Sequence, residues 1–171
     1  SATFWAALVW FGGLLILSYA PVLHRLVVQW MNDEDMGHGF FVPVVAGYIA
    51  WKTRERWLAG PHSPSWWGLL LIAWGALQLT LAALGAELFL ARTAFVVTVA
   101  GVVLALGGAR VLRALAFPLF LLCFMVPIPA VIYNQATLPL QLFASELATQ
   151  ALSAVGIPAL REGNVIELAS Q

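Results

Sequence analysis

Three sets of residues in this chain have types and positions that could do chemistry. His38 stands between Gly37 and Gly39, directly after the acidic run Asp33-Glu34-Asp35. A histidine exchanges protons near neutral pH, so it could act as a proton-transferring or substrate-contacting group. It could equally anchor the start of a helix at a membrane surface, with the glycines allowing a tight turn. Near the C-terminus, Arg161, Glu162 and Asn164 cluster around Gly163. This turn is either plain punctuation between two extended pieces or a charged hairpin offering a peptide-binding edge. Cys123 is the single cysteine and sits in the apolar stretch FLLCFMVPIP. Such surroundings disfavour the thiolate that nucleophilic attack requires, so it reads as a small packed hydrophobe. One cysteine excludes an internal disulfide, no Cys/His set has metal-site spacing, and neither metal nor cofactor is expected.

The elements that must hold these groups are membrane helices. Of 171 residues, 62% are hydrophobic and 9% charged, with a mean hydropathy of +0.91; a soluble domain carries about 25% charged residues. The lipid bilayer is therefore the solvent. Eight Lys and Arg balance eight Asp and Glu, which leaves no surplus to neutralise a phosphate backbone, and no nucleic-acid partner is expected.

About 20 apolar residues cross a bilayer as a helix. Five runs approach that length: Phe4–Leu23, Met36–Trp51, Trp66–Leu84, Leu88–Leu106 and Leu112–Val126. The spacing predicts five spanning helices whose midpoints are all apolar. Lys52, Arg54, Arg56, Arg110 and Arg113 fall in the loops after the second and fourth runs, and short basic loops stay cytoplasmic. The N-terminus is then cytoplasmic, and Leu26–Gly37, Gly85–Glu87 and Pro127–Thr137 are outward loops. In the last of these, Pro127 and Pro129 make an extended elbow.

A sixth segment, Leu138–Val155, carries a polar stripe of Gln141, Ser145 and Thr149, flanked by Glu146, Gln150 and Ser153. Leu142, Phe143, Leu147, Ala151, Leu152 and Val155 form its apolar face. That pattern suits an amphipathic helix lying at the interface with its polar stripe toward water or toward the protein's own groove, ended by Gly156-Ile157-Pro158. The expected fold is all-α: a polytopic transmembrane bundle of five spanning helices, one amphipathic interfacial helix and a short extended hairpin. Residues 1–171 read as one transmembrane domain, the N-terminal part of a longer protein.

Two blocks of sequence resemble the exosortase/archaeosortase family. One is Asp35, Gly37-His38-Gly39, Phe41-Val42-Pro43 and Trp51. The other is FMVPIPAVIYNQATLPLQLFASELATQALSAVGIPALREGNVIEL, with its Pro-x-Pro elbow, Pro-Leu-Gln start, Gly-Ile-Pro break and Arg-Glu-Gly-Asn turn. The resemblance implies a multi-pass enzyme of the bacterial inner membrane with an extracytoplasmic active face. It would be a cysteine transpeptidase or protease that processes Pro-Glu-Pro-type sorting signals, its partners being the C-terminal tails of exported proteins. The family's nucleophile lies in an Ala-x-x-Cys-Ser-Gly-x-Arg block after the Arg-Glu-Gly-Asn turn. The catalytic cysteine, arginine and histidine are accordingly expected beyond Gln171, leaving His38, Arg161, Glu162 and Asn164 as substrate-side or motif residues. The competing class is a non-enzymatic transporter or scaffold subunit; transporters place ionisable groups mid-helix.

Overall fold

A computed structural model describes residues 2–59, 63–85, 87–156, 159–163 and 165–168. The chain divides into two compact units, Ser1–Pro127 and Ile128–Gln171.

Among the described residues, three helices of the first unit are long and apolar enough to cross a membrane. They are α1 (Ala2–Asn32), α4 (Trp66–Gly85) and α5 (Leu88–Ala114); between α1 and α4 lie α2 (Phe41–Lys52) and α3 (Arg54–Leu58), and α6 (Ala116–Cys123) follows α5. At 1.5 Å per residue the three long helices measure about 46, 30 and 40 Å. α1 outruns the Phe4–Leu23 expected of it, and the stretch expected to begin an outward loop at Leu26 is helical to Asn32. The reason is tertiary: Leu26 is 1% exposed and joins Trp30, Met125 and Val126 in a buried cluster.

α4 and α5 pack antiparallel through glycines. A Cβ on Gly68 would fall on the backbone of Ala105, one on Gly75 would meet Thr98, and one on Gly101 would meet Ile72. In lipid, where burial of apolar surface gives helices no reason to associate, such close backbone approach supplies the attraction. α1 is bolted across this pair by the buried Tyr19 hydroxyl, 2.8 Å from Thr98 Oγ1 and 3.4 Å from the Gly75 carbonyl. Thr98 donates its own proton to the Ala94 carbonyl at 2.8 Å, so Tyr19 is the donor of the pair. The expectation of uniformly apolar midpoints is corrected here. These polar groups satisfy one another and end on a backbone carbonyl, so they close a structural contact and open no path.

The second and fifth runs do not form continuous spanning helices. Glu34–Phe40 is a 3-10 helix, and α2 has 12 residues, about 18 Å. α6 has 8 residues, about 12 Å. Each nevertheless belongs to a segment that follows the length of α1. Phe40 packs edge-on against Trp30 at 5.2 Å, and Trp57 of α3 packs against Trp5 at 6.4 Å, so Phe40–Trp57 runs back from one end of α1 to the other. α5 breaks at Gly108, whose φ of 80° only glycine adopts readily, beside Ser63. Beyond the break, Leu115 lines a cleft with Leu8 and Trp57. α6 then returns the chain to Met125 and Val126 beside Leu26 and Trp30.

In the second unit α7 spans Ala130–Ala154, so residues 130–137, expected as part of a loop, are helical. Gly156, with φ 83°, turns its end. Strands β1 (Ala159–Glu162) and β2 (Val165–Leu168) pair antiparallel, Glu162 opposite Val165.

Candidate functional site

One end of the first unit carries His38, which sequence reasoning singled out, together with two polar groups that it missed. His38 is exposed in the 3-10 helix, and its neighbour Gly39 is buried against the Trp30 indole, where a Cβ would collide. Trp30 Nε1 donates to the Met125 carbonyl at 3.3 Å. The indole thereby ties α1 to the turn after α6 and holds His38 at the rim. One residue earlier, Gln29 Oε1 accepts a 2.7 Å hydrogen bond from Arg92 Nη2. Arg92 is 5% exposed, and its Nε has no hydrogen-bond partner. The Glu87 carboxylate, which caps α5 by accepting from the Leu90 amide, supplies the opposing charge nearby.

Sequence analysis gave Arg92 no role within the run Leu88–Leu106. The available signal was its place five residues after Glu87, inside that run, since an ionisable group within a span requires a named partner. That partner, Gln29, lies 63 residues away.

The opposite end of the unit carries Lys52, Arg54, Arg56, Arg110 and Arg113, all exposed. Trp57 beside Trp5, and Val111 and Leu115 in the cleft with Leu8, place these residues at the N-terminal end of α1. Arg54 lies over the Trp51 ring at 4.9 Å.

Cys123, expected to be packed, is exposed at the last position of α6, with Sγ 4.0 Å from the Leu119 carbonyl. The short helix turns that face away from its neighbours. A carbonyl acceptor does nothing to favour a thiolate, which needs a cation or a helix N-terminus.

In the second unit the polar stripe of α7 divides between the two orientations expected of it: Gln141 is exposed, while Ser145 faces the protein itself. Ser145 is 6% exposed, and its hydroxyl lies 2.9 Å from the Leu142 carbonyl and 3.1 Å from the Gly163 carbonyl. Leu142, Thr149 and Leu152 are half-buried on the same face, while Phe143 and Leu147 are exposed. The covered face of α7 therefore mixes serine and threonine with leucine, and the hairpin turn sits on its serine. Arg161 and Glu162 are placed by backbone on β1 next to that turn, and Asn164 lies outside the described residues.

Among the described residues no group of three or more His, Cys, Asp or Glu could hold a metal ion.

Compared with known protein families, residues 30–171 match the transmembrane exosortase family. No curated protein and no solved structure matches the chain.

Proposed function

The chain belongs to the transmembrane exosortase family, and on that premise we propose that it is the membrane part of a cysteine transpeptidase that processes the C-terminal sorting signals of exported proteins. The family match over residues 30–171 carries this reading. It begins at the indole that holds the His38 rim and includes the turn Arg161–Asn164. In this reading the substrate's tail arrives at the His38 and Arg92 end, which faces out of the cytoplasm. The thiolate, the arginine that stabilises the oxyanion and the proton-exchanging histidine come from an Ala-x-x-Cys-Ser-Gly-x-Arg block following the turn. Cys123 takes no part, and His38, Arg161, Glu162 and Asn164 contact or position the tail.

The test is a secreted reporter carrying a Pro-Glu-Pro motif, an apolar helix and a basic end, co-expressed with the full-length parent protein. Cleavage at the motif is expected, and Cys123→Ala is expected to leave its extent unchanged. An uncleaved reporter beside well-accumulated parent protein overturns the reading, and loss of cleavage in Cys123→Ala alone relocates the nucleophile.

We further propose five crossings with a cytoplasmic N-terminus in the bacterial inner membrane, three by α1, α4 and α5 and two by the composite segments through α2 and α6. Support comes from the packing of Phe40 and Trp57 at opposite ends of α1 and from five basic residues at one end. Single cysteines at Asn32 and Lys52 in a Cys123→Ala background report the sides. In intact spheroplasts an impermeant maleimide is expected to label Asn32→Cys at once and Lys52→Cys only after lysis. Labelling of both from the same side removes the crossing through α2.

A further inference from the structure

Toward its N-terminal end α1 parts from α5. The two helices are joined by hydrogen bonds at Tyr19 and Gln29. Between Leu8 and Ile16, however, an apolar cleft of about 270 Å³ separates them, with Val99, Val102 and Leu106 as its far wall and Trp57 among its lining. A second apolar cleft, about 240 Å³, lies between Phe11 of α1 and Trp66 and Leu69 of α4, and it shares Val102 and Leu106 with the first. This half of α1 is thus underpacked on both flanks.

Gly12 lines the larger cleft, and a Cβ there would meet nothing within 4 Å. It differs in this from Gly68 and Gly75, whose missing side chains let a neighbouring helix approach. At Gly12 the missing side chain keeps the cleft open. Left empty, the walls would forgo their dispersion contacts. At about 30 Å³ per water- or methylene-sized group, the cleft takes roughly nine of them, which is a substantial part of an acyl chain. Nothing polar in the lining asks for water.

The end of the cleft near Trp57 is basic. Arg56 precedes Trp57, and Arg110 and Arg113 flank Val111 and Leu115, which line the cleft; all three arginines are exposed. Against them stands Glu55. A ligand that fits both parts is long and apolar at one end and anionic at the other. We propose that this cleft is a binding site for an anionic phospholipid, one acyl chain lying along Gly12 and Val102 and the phosphate headgroup held by Arg56, Arg110 and Arg113. The site is independent of the peptidase reading, because it needs only the membrane helices of the first unit.

The experiment uses the full chain, purified and delipidated in a neutral detergent. It is titrated with phosphatidylglycerol or phosphatidylcholine and observed by native mass spectrometry. Phosphatidylglycerol is expected to bind at least tenfold more tightly. Each arginine near a membrane surface changes the affinity for anionic lipid by roughly fivefold. Arg56→Gln, Arg110→Gln and Arg113→Gln are therefore each expected to weaken phosphatidylglycerol by that factor and to leave phosphatidylcholine unchanged. Gly12→Leu, which fills the cleft, is expected to weaken both lipids. Should that variant fail to accumulate, Leu8→Trp blocks the same cleft from its side. Equal affinity for the two lipids overturns the headgroup assignment. Unchanged binding in the cleft-filling variant overturns the acyl-chain assignment, and co-purification of a protein helix crosslinked at Gly12→Cys replaces the lipid by a protein partner.

Discussion

Gly68→Ala is expected to cost about 2–3 kcal/mol of stability, near the upper end of what a single added methyl produces by overpacking. The added carbon would fall on the backbone nitrogen and Cα of Ala105. Backbone in mid-helix has no rotamer to turn aside, so α4 must move away from α5. Separation there also disturbs the neighbouring Gly75 and Gly101 contacts, which share the same helix pair. Gly47 of α2 is the internal control, because a Cβ there meets nothing within 4 Å. Gly47→Ala is expected to be neutral or to raise stability by about 0.5–1 kcal/mol, the difference in helix propensity. Reversible unfolding of the full chain in mixed micelles gives both values. Similar midpoints for the two variants would falsify the close α4–α5 approach.

The contrast between these glycines shows what could be read from sequence. Apolar runs between charges located the three helices of the first unit that reach 20 residues, since length and hydropathy are local properties. The grouping of five basic residues into two loops was equally visible. Three other features depended on contacts between residues far apart. The extension of α1 past Arg25 rests on Leu26 and Trp30 meeting Met125 and Val126, and no window of sequence contains both sides. The replacement of a continuous second helix by a 3-10 segment and α2 follows from Gly37 and Gly39 together with the Trp30 ring pressing on Gly39; hydropathy alone sees one run. On α7 the periodicity separated a polar face from an apolar one, yet Leu142 and Leu152, assigned to the apolar face, share the covered side with Ser145 and Thr149. It could not tell that a hairpin turn would accept a hydrogen bond from Ser145 and so cover part of the polar one.

Of the candidate site, His38 and the Arg161 turn were legible because their residue types are rare in such a chain. Arg92 and Gln29 were not, because each looks like an ordinary polar residue at the edge of an apolar run. Their importance lies in the pairing. Gln29→Leu removes the hydrogen-bond acceptor of Arg92 Nη2 and leaves a buried guanidinium whose Nε is already without a partner. A hydrogen bond to a charged group is worth about 1.5–3 kcal/mol, and a stranded buried cation carries a desolvation cost of similar or greater size. Gln29→Leu is therefore expected to destabilise the chain by about 2–3 kcal/mol. Arg92 lies about 6 Å along α5 from its first residue, too far in for its whole length to be freely hydrated, yet near enough to the end for Glu87 to offset part of the charge. Adding Arg92→Met to Gln29→Leu removes the stranded cation and keeps the volume, so the double variant is expected to recover about 1 kcal/mol or more over Gln29→Leu alone. Such recovery is the signature of two groups acting as a pair. Strictly additive losses in the double variant would show that Arg92 finds its charge compensation elsewhere, and the Gln29–Arg92 link between α1 and α5 would then lose its role in holding the rim on which His38 stands.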